Sequence, residues 1–256
     1  MSQKILIIGY GKMGKVHAKY LTAMGINWDY VDSNISHKEI WPKYLNFYTH
    51  IIIATPIDTH AEIYNRLCYY AGFILIEKPV VVQRNCLNIL KDIRVMAGLN
   101  ERYNPVTQYL KDVGGIIKKI EFYRDGGGSF RDVAIHDIDI AFQIFGCEYE
   151  ITKFDISKIE ARFGQIPVSF QCRQDRDQAR YALVTFYNGV TVADFKTQQI
   201  NDAPLQRCST IQKELIDFLG EHGSKIHPFG EDEWDSEPIA YHSHKFLVEC
   251  LEHGVS

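Results

Sequence analysis

The sequence predicts an α/β protein in two parts: an N-terminal doubly wound parallel sheet over residues 1–105, then an α+β part over 106–256 with a mainly antiparallel sheet. Three observations predict it. Continuous apolar runs alternate with helical patterns as far as Pro105, the texture of buried parallel strands and crossover helices. A glycine fingerprint, Gly9-Tyr10-Gly11-Lys12-Met13-Gly14, stands where the first run gives way to the first helical pattern. Beyond Pro105 the texture changes to strands with turn signals, clearest over 181–196.

The elements follow in order. Lys4-Ile5-Leu6-Ile7-Ile8 reads as a buried strand, and Met13, Val16, Tyr20 and Met24 then recur near helical spacing until Gly25 stops the helix. In that setting Gly9 allows the tight turn, Gly11 lets backbone approach a pyrophosphate and Gly14 lets helix pack on strand. Lys12 and Met13 bring the helix-start N–H groups to the phosphates. This is the Rossmann arrangement for a dinucleotide. Residues 27–31 form a short strand ending in Asp32, an acid about 20 residues beyond the glycines and placed to accept hydrogen bonds from a ribose. A carboxylate there repels a 2′-phosphate. Ser33 and Asn34 follow, no Arg adjoins them, and the nearest base is Lys38. NAD(H) is therefore favoured, with NADP(H) the alternative if a loop elsewhere supplies a cation.

Residues 50–54 are the next buried strand, ending at Thr55-Pro56; the short connection 34–49 implies that a third strand and its helix are trimmed. Thr59-His60-Ala61-Glu62 has the form of a capping box, followed by Ile63, Leu67 and Ala71 as the buried stripe of a helix closed by Gly72. Phe73-Ile74-Leu75-Ile76 delivers Glu77-Lys78-Pro79 to a strand's carboxyl end, the edge where ligands of open α/β sheets sit. A helix over 83–91 and a strand near 94–100 lead to Glu101-Arg102-Tyr103-Asn104-Pro105. In the second part, 181–187 alternates, Asn188-Gly189 makes a two-residue hairpin turn, and 190–196 alternates back. Further strands are expected at 116–124, 151–163 and 168–173, and a helix at 131–145; 207–219 reads equally as strand or helix.

Composition narrows the class. The 256 residues are 46% hydrophobic, enough for a substantial core, and the net charge of −4 is dispersed. No basic stripe points to nucleic acid and no polybasic segment to a membrane surface. The first apolar stretch is too brief for a signal peptide or a spanning helix, so a cytoplasmic location is expected. Six scattered cysteines with no C-x-x-C pair suit reduced thiols in a core. His242-Ser243-His244 and the acidic run Glu231-Asp232-Glu233 invite a metal, but adjacent-but-one histidines in a loop or helix start read as solvated, and no metal site is expected.

Two constellations carry chemistry. Lys78 stands at a strand's carboxyl end, where an ammonium stabilises negative charge developing on a substrate oxygen; a solvated loop lysine would look the same in sequence. In Gly126-Gly127-Gly128-Ser129-Phe130-Arg131-Asp132-Val133-Ala134-Ile135-His136-Asp137-Ile138-Asp139, Asp132 and His136 are four apart on one helical face, with Asp139 a turn further. A carboxylate so placed orients an imidazole for proton transfer near neutral pH, and a plain surface pair has the same spacing.

Together these residues resemble the Gfo/Idh/MocA oxidoreductases, which include glucose-fructose oxidoreductase and inositol dehydrogenase. The resemblance rests on residues 9–18, on Ala54-Thr55-Pro56 with His60, on Glu77-Lys78-Pro79, on 128–139 and on Arg102-Tyr103-Asn104-Pro105. It implies that Lys78 contacts the substrate hydroxyl, that His136 is the general acid/base and that Asp132 supports it. It also implies that Thr55 and Glu77 border the dinucleotide, that Tyr103 meets a sugar, nucleotide sugar or polyol, and that the second sheet joins subunits into a homodimer or homotetramer. The chain is short for this family. A biliverdin-reductase-like enzyme and a dinucleotide-sensing regulator are the rival readings; retention of Lys78, Asp132 and His136 argues against the regulator.

Overall fold

The computed structural model describes residues 3–32, 45–125, 130–155, 158–173, 179–220 and 237–253. The chain divides into two compact units, Met1–Gly98 with Ile211–Pro238, and Leu99–Thr210 with Ile239–Ser256. The α-helices of the described residues are α1 (Lys12–Ala23), α2 (His60–Arg66), α3 (Pro105–Asp112), α4 (Phe130–Phe145), α5 (Thr210–Leu219) and α6 (Ile239–Glu252).

In the first unit the apolar runs become five parallel strands, β1 (Lys4–Ile8), β2 (Asn27–Val31), β3 (His50–Ile53), β4 (Phe73–Glu77) and β5 (Val95–Gly98), in the order β2-β1-β3-β4-β5. Ile5, Ile7, Ile51, Ile52, Ile74 and Leu75 are fully buried, as a strand covered on both faces demands. β2 exposes Asn27, Asp29 and Tyr30 and is the edge; among the described residues no strand lies beyond it. The chain moves from β1 to β2 on one side and to β3 on the other, so the order reverses at the carboxyl ends of β1 and β3, where such sheets open a crevice.

Several local expectations are corrected here. The buried face of α1 is Gly14, His17, Ala18 and Leu21, one position on from the expected stripe, because the helix packs through Gly14 onto the Gly9 carbonyl just past β1. Thr59 makes no side-chain cap; its hydroxyl donates to the Pro56 carbonyl, Glu62 pairs with Arg66 instead, and α2 ends at Arg66 with Ala71 exposed. Gly72 serves a close approach, since a Cβ there would stand 2.4 Å from the Thr49 carbonyl. Residues Arg84–Lys91 form a 3₁₀ helix, burying Leu87 and Leu90 at its three-residue period. The ambiguous 207–219 segment is helical, and Phe218 of α5 meets the His50 ring edge-on at 4.9 Å within the first unit.

The second unit holds β6 (Lys119–Asp125), β7 (Tyr149–Phe154), β8 (Lys158–Phe163), β9 (Ile166–Arg173), β10 (Arg180–Phe186), β11 (Gly189–Asp194), β12 (Gln199–Ile200) and β13 (Ala203–Pro204). Their order is β13-β12-β11-β10-β6-β9-β8-β7, antiparallel except for the β6–β9 pair. The expected single strand over 151–163 is thus two, paired antiparallel from Tyr149 with Phe163 to Phe154 with Ile159, with a register shift between Ile151 and Lys153. Phe186 pairs with Gly189, so Tyr187 and Asn188 are the hairpin turn; Gly189, at φ +142°, opens the returning strand. The sheet packs against α4 and α6: Phe142 of α4 meets Phe163 at 4.9 Å and Phe246 of α6 meets Phe170 at 5.5 Å, both edge-on. Of the six cysteines Cys250 alone is buried, Cys86, Cys172 and Cys208 are half-buried and Cys68 and Cys147 are exposed, so most are not core residues. Among the described residues no helix is long and apolar enough to cross a membrane.

Candidate functional site

The glycine loop sits between β1 and α1, and its three glycines meet different surroundings. Gly9 takes φ +93°, and a Cβ on it would stand 2.7 Å from both the Ala54 carbonyl and the Thr55 methyl. A Cβ on Gly14 would stand 2.0 Å from the Gly9 carbonyl. Around Gly11 there is nothing within 4 Å of that position. Two glycines therefore press helix and strand ends together, and the third leaves backbone facing open space at the start of a 12-residue helix. The first N–H groups of such a helix, here those of Lys12 and Met13, lack intrahelical acceptors and carry its positive end. A diphosphate fits that cradle.

Asp32 follows β2 and accepts a 2.7 Å hydrogen bond from the Tyr10 backbone N–H through Oδ2, which ties the acid to the glycine loop. The Tyr10 ring stacks on Tyr30 at 4.0 Å and on Trp28 at 5.9 Å. That aromatic stack has no periodic signature; only its place beside the fingerprint hints at it. Ser33, Asn34 and Lys38 lie outside the described residues.

At the end of β4, Glu77 is 6% exposed and shares a 2.6 Å hydrogen bond with buried His17 of α1. Lys78 is half-buried and its peptide bond to Pro79 is cis. His60 straps this loop to the neighbouring one: Nε2 lies 2.9 Å from the carbonyl of half-buried Thr55, and Nδ1 lies 3.1 and 3.2 Å from the carbonyls of Pro79 and Val80. The sequence marks His17 as part of a matching block and His60 as part of one and of the expected capping box; their positioning contacts span 60 and 19 residues.

In the second unit, His136 lies on α4 and is 9% exposed. Asp132 stands one turn earlier in the same helix, and only its backbone is described; residues 126–129 lie outside the described residues. Asp139, on the same side, is an anchor. It accepts from Arg102 Nε at 2.7 Å and Nη2 at 2.6 Å, and from the Ser243 hydroxyl at 2.9 Å. The buried Arg124 of β6 holds Asp137 in the same two-pronged way, at 2.6 to 3.0 Å, with Glu101 3.7 Å away. Burial opposes the Arg124 charge, yet the Asp137 and Glu101 carboxylates raise its pKa overall. Burial pushes the Asp137 carboxyl up while Arg124 pulls it down. Tyr103 is half-buried, and its carbonyl lies 3.4 Å from the Cys208 thiol. Sequence reasoning missed the Arg124–Asp137 and Arg102–Asp139–Ser243 anchors; the one hint is two acids inside an otherwise apolar helical stretch. Glu231-Asp232-Glu233 lies outside the described residues, whereas Ser243 is spent on Asp139 and His244 on the Ala240 carbonyl at 2.7 Å.

No protein-family model matches the chain. Among curated proteins, an inositol 2-dehydrogenase from Rhizobium meliloti is 25% identical over 194 residues, 58% of this chain and 56% of that protein, so the match spans little more than half of that relative. Among solved structures, a UDP-N-acetylglucosamine 3-dehydrogenase from Acidithiobacillus ferrooxidans is similar with a TM-score of 0.76 at 17% identity, covering 98% of this chain and 97% of that one. A Gfo/Idh/MocA family oxidoreductase from Vibrio cholerae gives 0.73 at 14% identity, with 98% of each chain covered. A myo-inositol dehydrogenase from Corynebacterium glutamicum gives 0.68 at 17%, covering 98% and 96%. The five-stranded parallel sheet and the eight-stranded, mainly antiparallel one thus give this chain the two-domain fold of the Gfo/Idh/MocA oxidoreductases.

Proposed function

We propose that the chain is a nicotinamide-dependent oxidoreductase that interconverts a secondary alcohol and a ketone on a sugar, nucleotide sugar or polyol. The observation that carries this reading is the glycine loop, open at Gly11 and closed by contact at Gly9 and Gly14. The similar proteins named above as dehydrogenases of inositol and of UDP-N-acetylglucosamine support the substrate class. Gly9, Gly11, Lys12, Met13, Gly14, Asp32, Thr55 and Glu77 would hold the dinucleotide. Asp32 favours NAD(H), because its carboxylate repels a 2′-phosphate; NADP(H) is the alternative.

When bound, the nicotinamide supplies the hydride acceptor or donor. The chain's own residues manage charge and proton. The Lys78 ammonium steadies negative charge on the substrate oxygen, the His136 imidazole takes or returns the hydroxyl proton, and Asp132, one helical turn before it, supports that transfer. Tyr103 meets the carbohydrate. The second sheet would join a homodimer or homotetramer, in keeping with the exposed Tyr187, Val190 and Val192 at the β10–β11 hairpin, and the enzyme would work in the cytoplasm.

The test is calorimetric titration with NADH and NADPH, followed by a panel of inositols, sugars, nucleotide sugars and biliverdin read at the nicotinamide absorbance. NADH binds more tightly and a carbohydrate turns over. Lys78→Ala and His136→Ala each cut turnover about 10²- to 10⁴-fold with dinucleotide affinity kept. Failure to bind either dinucleotide overturns the reading, and binding without turnover across the panel replaces it with a sensor.

A further inference from the structure

After β11 the second unit turns through three non-glycine residues with left-handed backbone: Gln198 at φ +58°, Asn201 at +46° and Asp202 at +63°. Asn201 and Asp202 are the two central residues of the β12–β13 hairpin, where Asn and Asp commonly take positive φ, so Gln198 is the unusual position, and side-chain contacts hold it and its neighbours. Those contacts are plain here. Asp194 Oδ1 accepts from the backbone N–H groups of Lys196 and Thr197 at 2.8 and 2.9 Å. The Gln198 amide closes on Cys208 from both ends, accepting from its N–H at 2.9 Å and donating to its carbonyl at 3.0 Å. The Asn201 side chain accepts from Val192 N–H at 2.8 Å.

Beside this turn lies an open surface groove of about 550 Å³, lined by Lys196, Thr197, Gln198, Arg207, Cys208 and Ser209. Its lining has two cations, two hydroxyls and no carboxylate. Among the described residues neither Lys196 nor Arg207 forms an ion pair. Two unneutralised cations on one concave wall favour a multiply charged anion; a guanidinium fork matches phosphoryl oxygens, and hydroxyls add donors. Both walls are tied to the block that holds Tyr103. Asn104 Nδ2 donates to the Phe195 carbonyl at 2.9 Å, next to Lys196, and the Cys208 thiol donates to the Tyr103 carbonyl at 3.4 Å.

We propose that this groove binds the diphosphate of a nucleoside-diphosphate sugar, with the carbohydrate reaching Tyr103. The proposal rests on the reading of the chain as a carbohydrate oxidoreductase and narrows its substrate to an anionic ester.

The test is calorimetry of the full chain and of Lys196→Gln/Arg207→Gln with inorganic pyrophosphate, without cofactor and again under saturating NADH, which occupies the glycine loop. The wild type binds, more weakly as salt rises, and the double variant loses about tenfold or more in affinity. A thermal midpoint held in the variant shows that it is folded, since both substituted side chains are exposed. A nucleoside-diphosphate sugar displaces the pyrophosphate from the wild type. Absence of binding to the wild type, or equal binding to the variant, overturns the site. Pyrophosphate that the nucleotide sugar cannot displace belongs to a separate anion and overturns the substrate assignment. Failure of NADH binding or of turnover strikes the proposed function instead, and leaves the cofactor-free pyrophosphate titration readable.

Discussion

His17 of α1 and Glu77 at the end of β4 share a 2.6 Å hydrogen bond with side chains 0% and 8% exposed. One buried polar contact therefore joins the helix that follows the glycine loop to the last residue of the strand that precedes Lys78. His17→Ala leaves the carboxyl group buried without that partner, at a cost of about 2 to 3 kcal/mol. Glu77→Gln keeps an acceptor and costs less. Urea unfolding of the full chain reads both; a His17→Ala midpoint equal to wild type would remove the contact from the account.

The glycines separate packing from ligand approach. Gly14→Ala forces a Cβ against the Gly9 carbonyl, 2.0 Å away, whereas Gly11→Ala meets nothing within 4 Å. Gly14→Ala is therefore expected to lower the thermal midpoint. Gly11→Ala should keep it and weaken NADH binding about tenfold, by filling the space where backbone approaches phosphate. If Gly11→Ala binds NADH as wild type does, the cradle is wrongly assigned.

Asp32 holds the Tyr10 N–H at 2.7 Å, so its substitution acts on loop and ribose together. Asp32→Ser retains a short acceptor and removes the charge. The expected result is a preference for NADH over NADPH that falls about tenfold, since the repulsion of a 2′-phosphate is gone. Paired titrations check it, and an unchanged ratio would mean that another residue sets the choice.

Asp137 is the principal anion for the buried Arg124, with Glu101 at 3.7 Å as a distant second. Asp137→Ala leaves the guanidinium largely uncompensated in the interior, a change of about 3 to 5 kcal/mol. The second unit should unfold at lower urea, and amide exchange in β6 and α4 should accelerate before that in β1. Uniform exchange would contradict this.

Acid should weaken the first unit through His50. Burial lowers its pKa, partly offset by a backbone hydrogen bond involving Phe218. The unfolded chain then takes up a proton at higher pH than the folded one. The contribution to stability is complete above the ordinary imidazole range and is lost as pH falls through the lowered value. The thermal midpoint should drop between about pH 7 and pH 5, and less so in His50→Asn. Parallel profiles for the two proteins would assign the acid sensitivity elsewhere.

Much of this architecture was legible locally. Ile51-Ile52-Ile53 and Phe73-Ile74-Leu75-Ile76 announce buried strands because a parallel strand covered on both faces admits few polar side chains. The alternation flanking Asn188-Gly189 announces a hairpin, although one residue of slack let the glycine leave the turn and start β11. The face of α1 was misplaced by one position for a similar reason: its closest contact is made at a glycine, which hydrophobic periodicity ignores.

By itself, then, the sequence determined the order and type of most elements and the glycine loop between β1 and α1, because periodicity, turn chemistry and steric allowance act over a few residues. The tertiary structure alone decided the return of α5 to the first unit, the eight-strand order, the strap from His60 to Pro79 and Val80, and the anchoring of α4 by Arg102, Arg124 and Ser243. Those contacts join groups up to 104 residues apart. Buried charge and hydrogen bonding select such partners by three-dimensional proximity, which leaves no period in the chain to read.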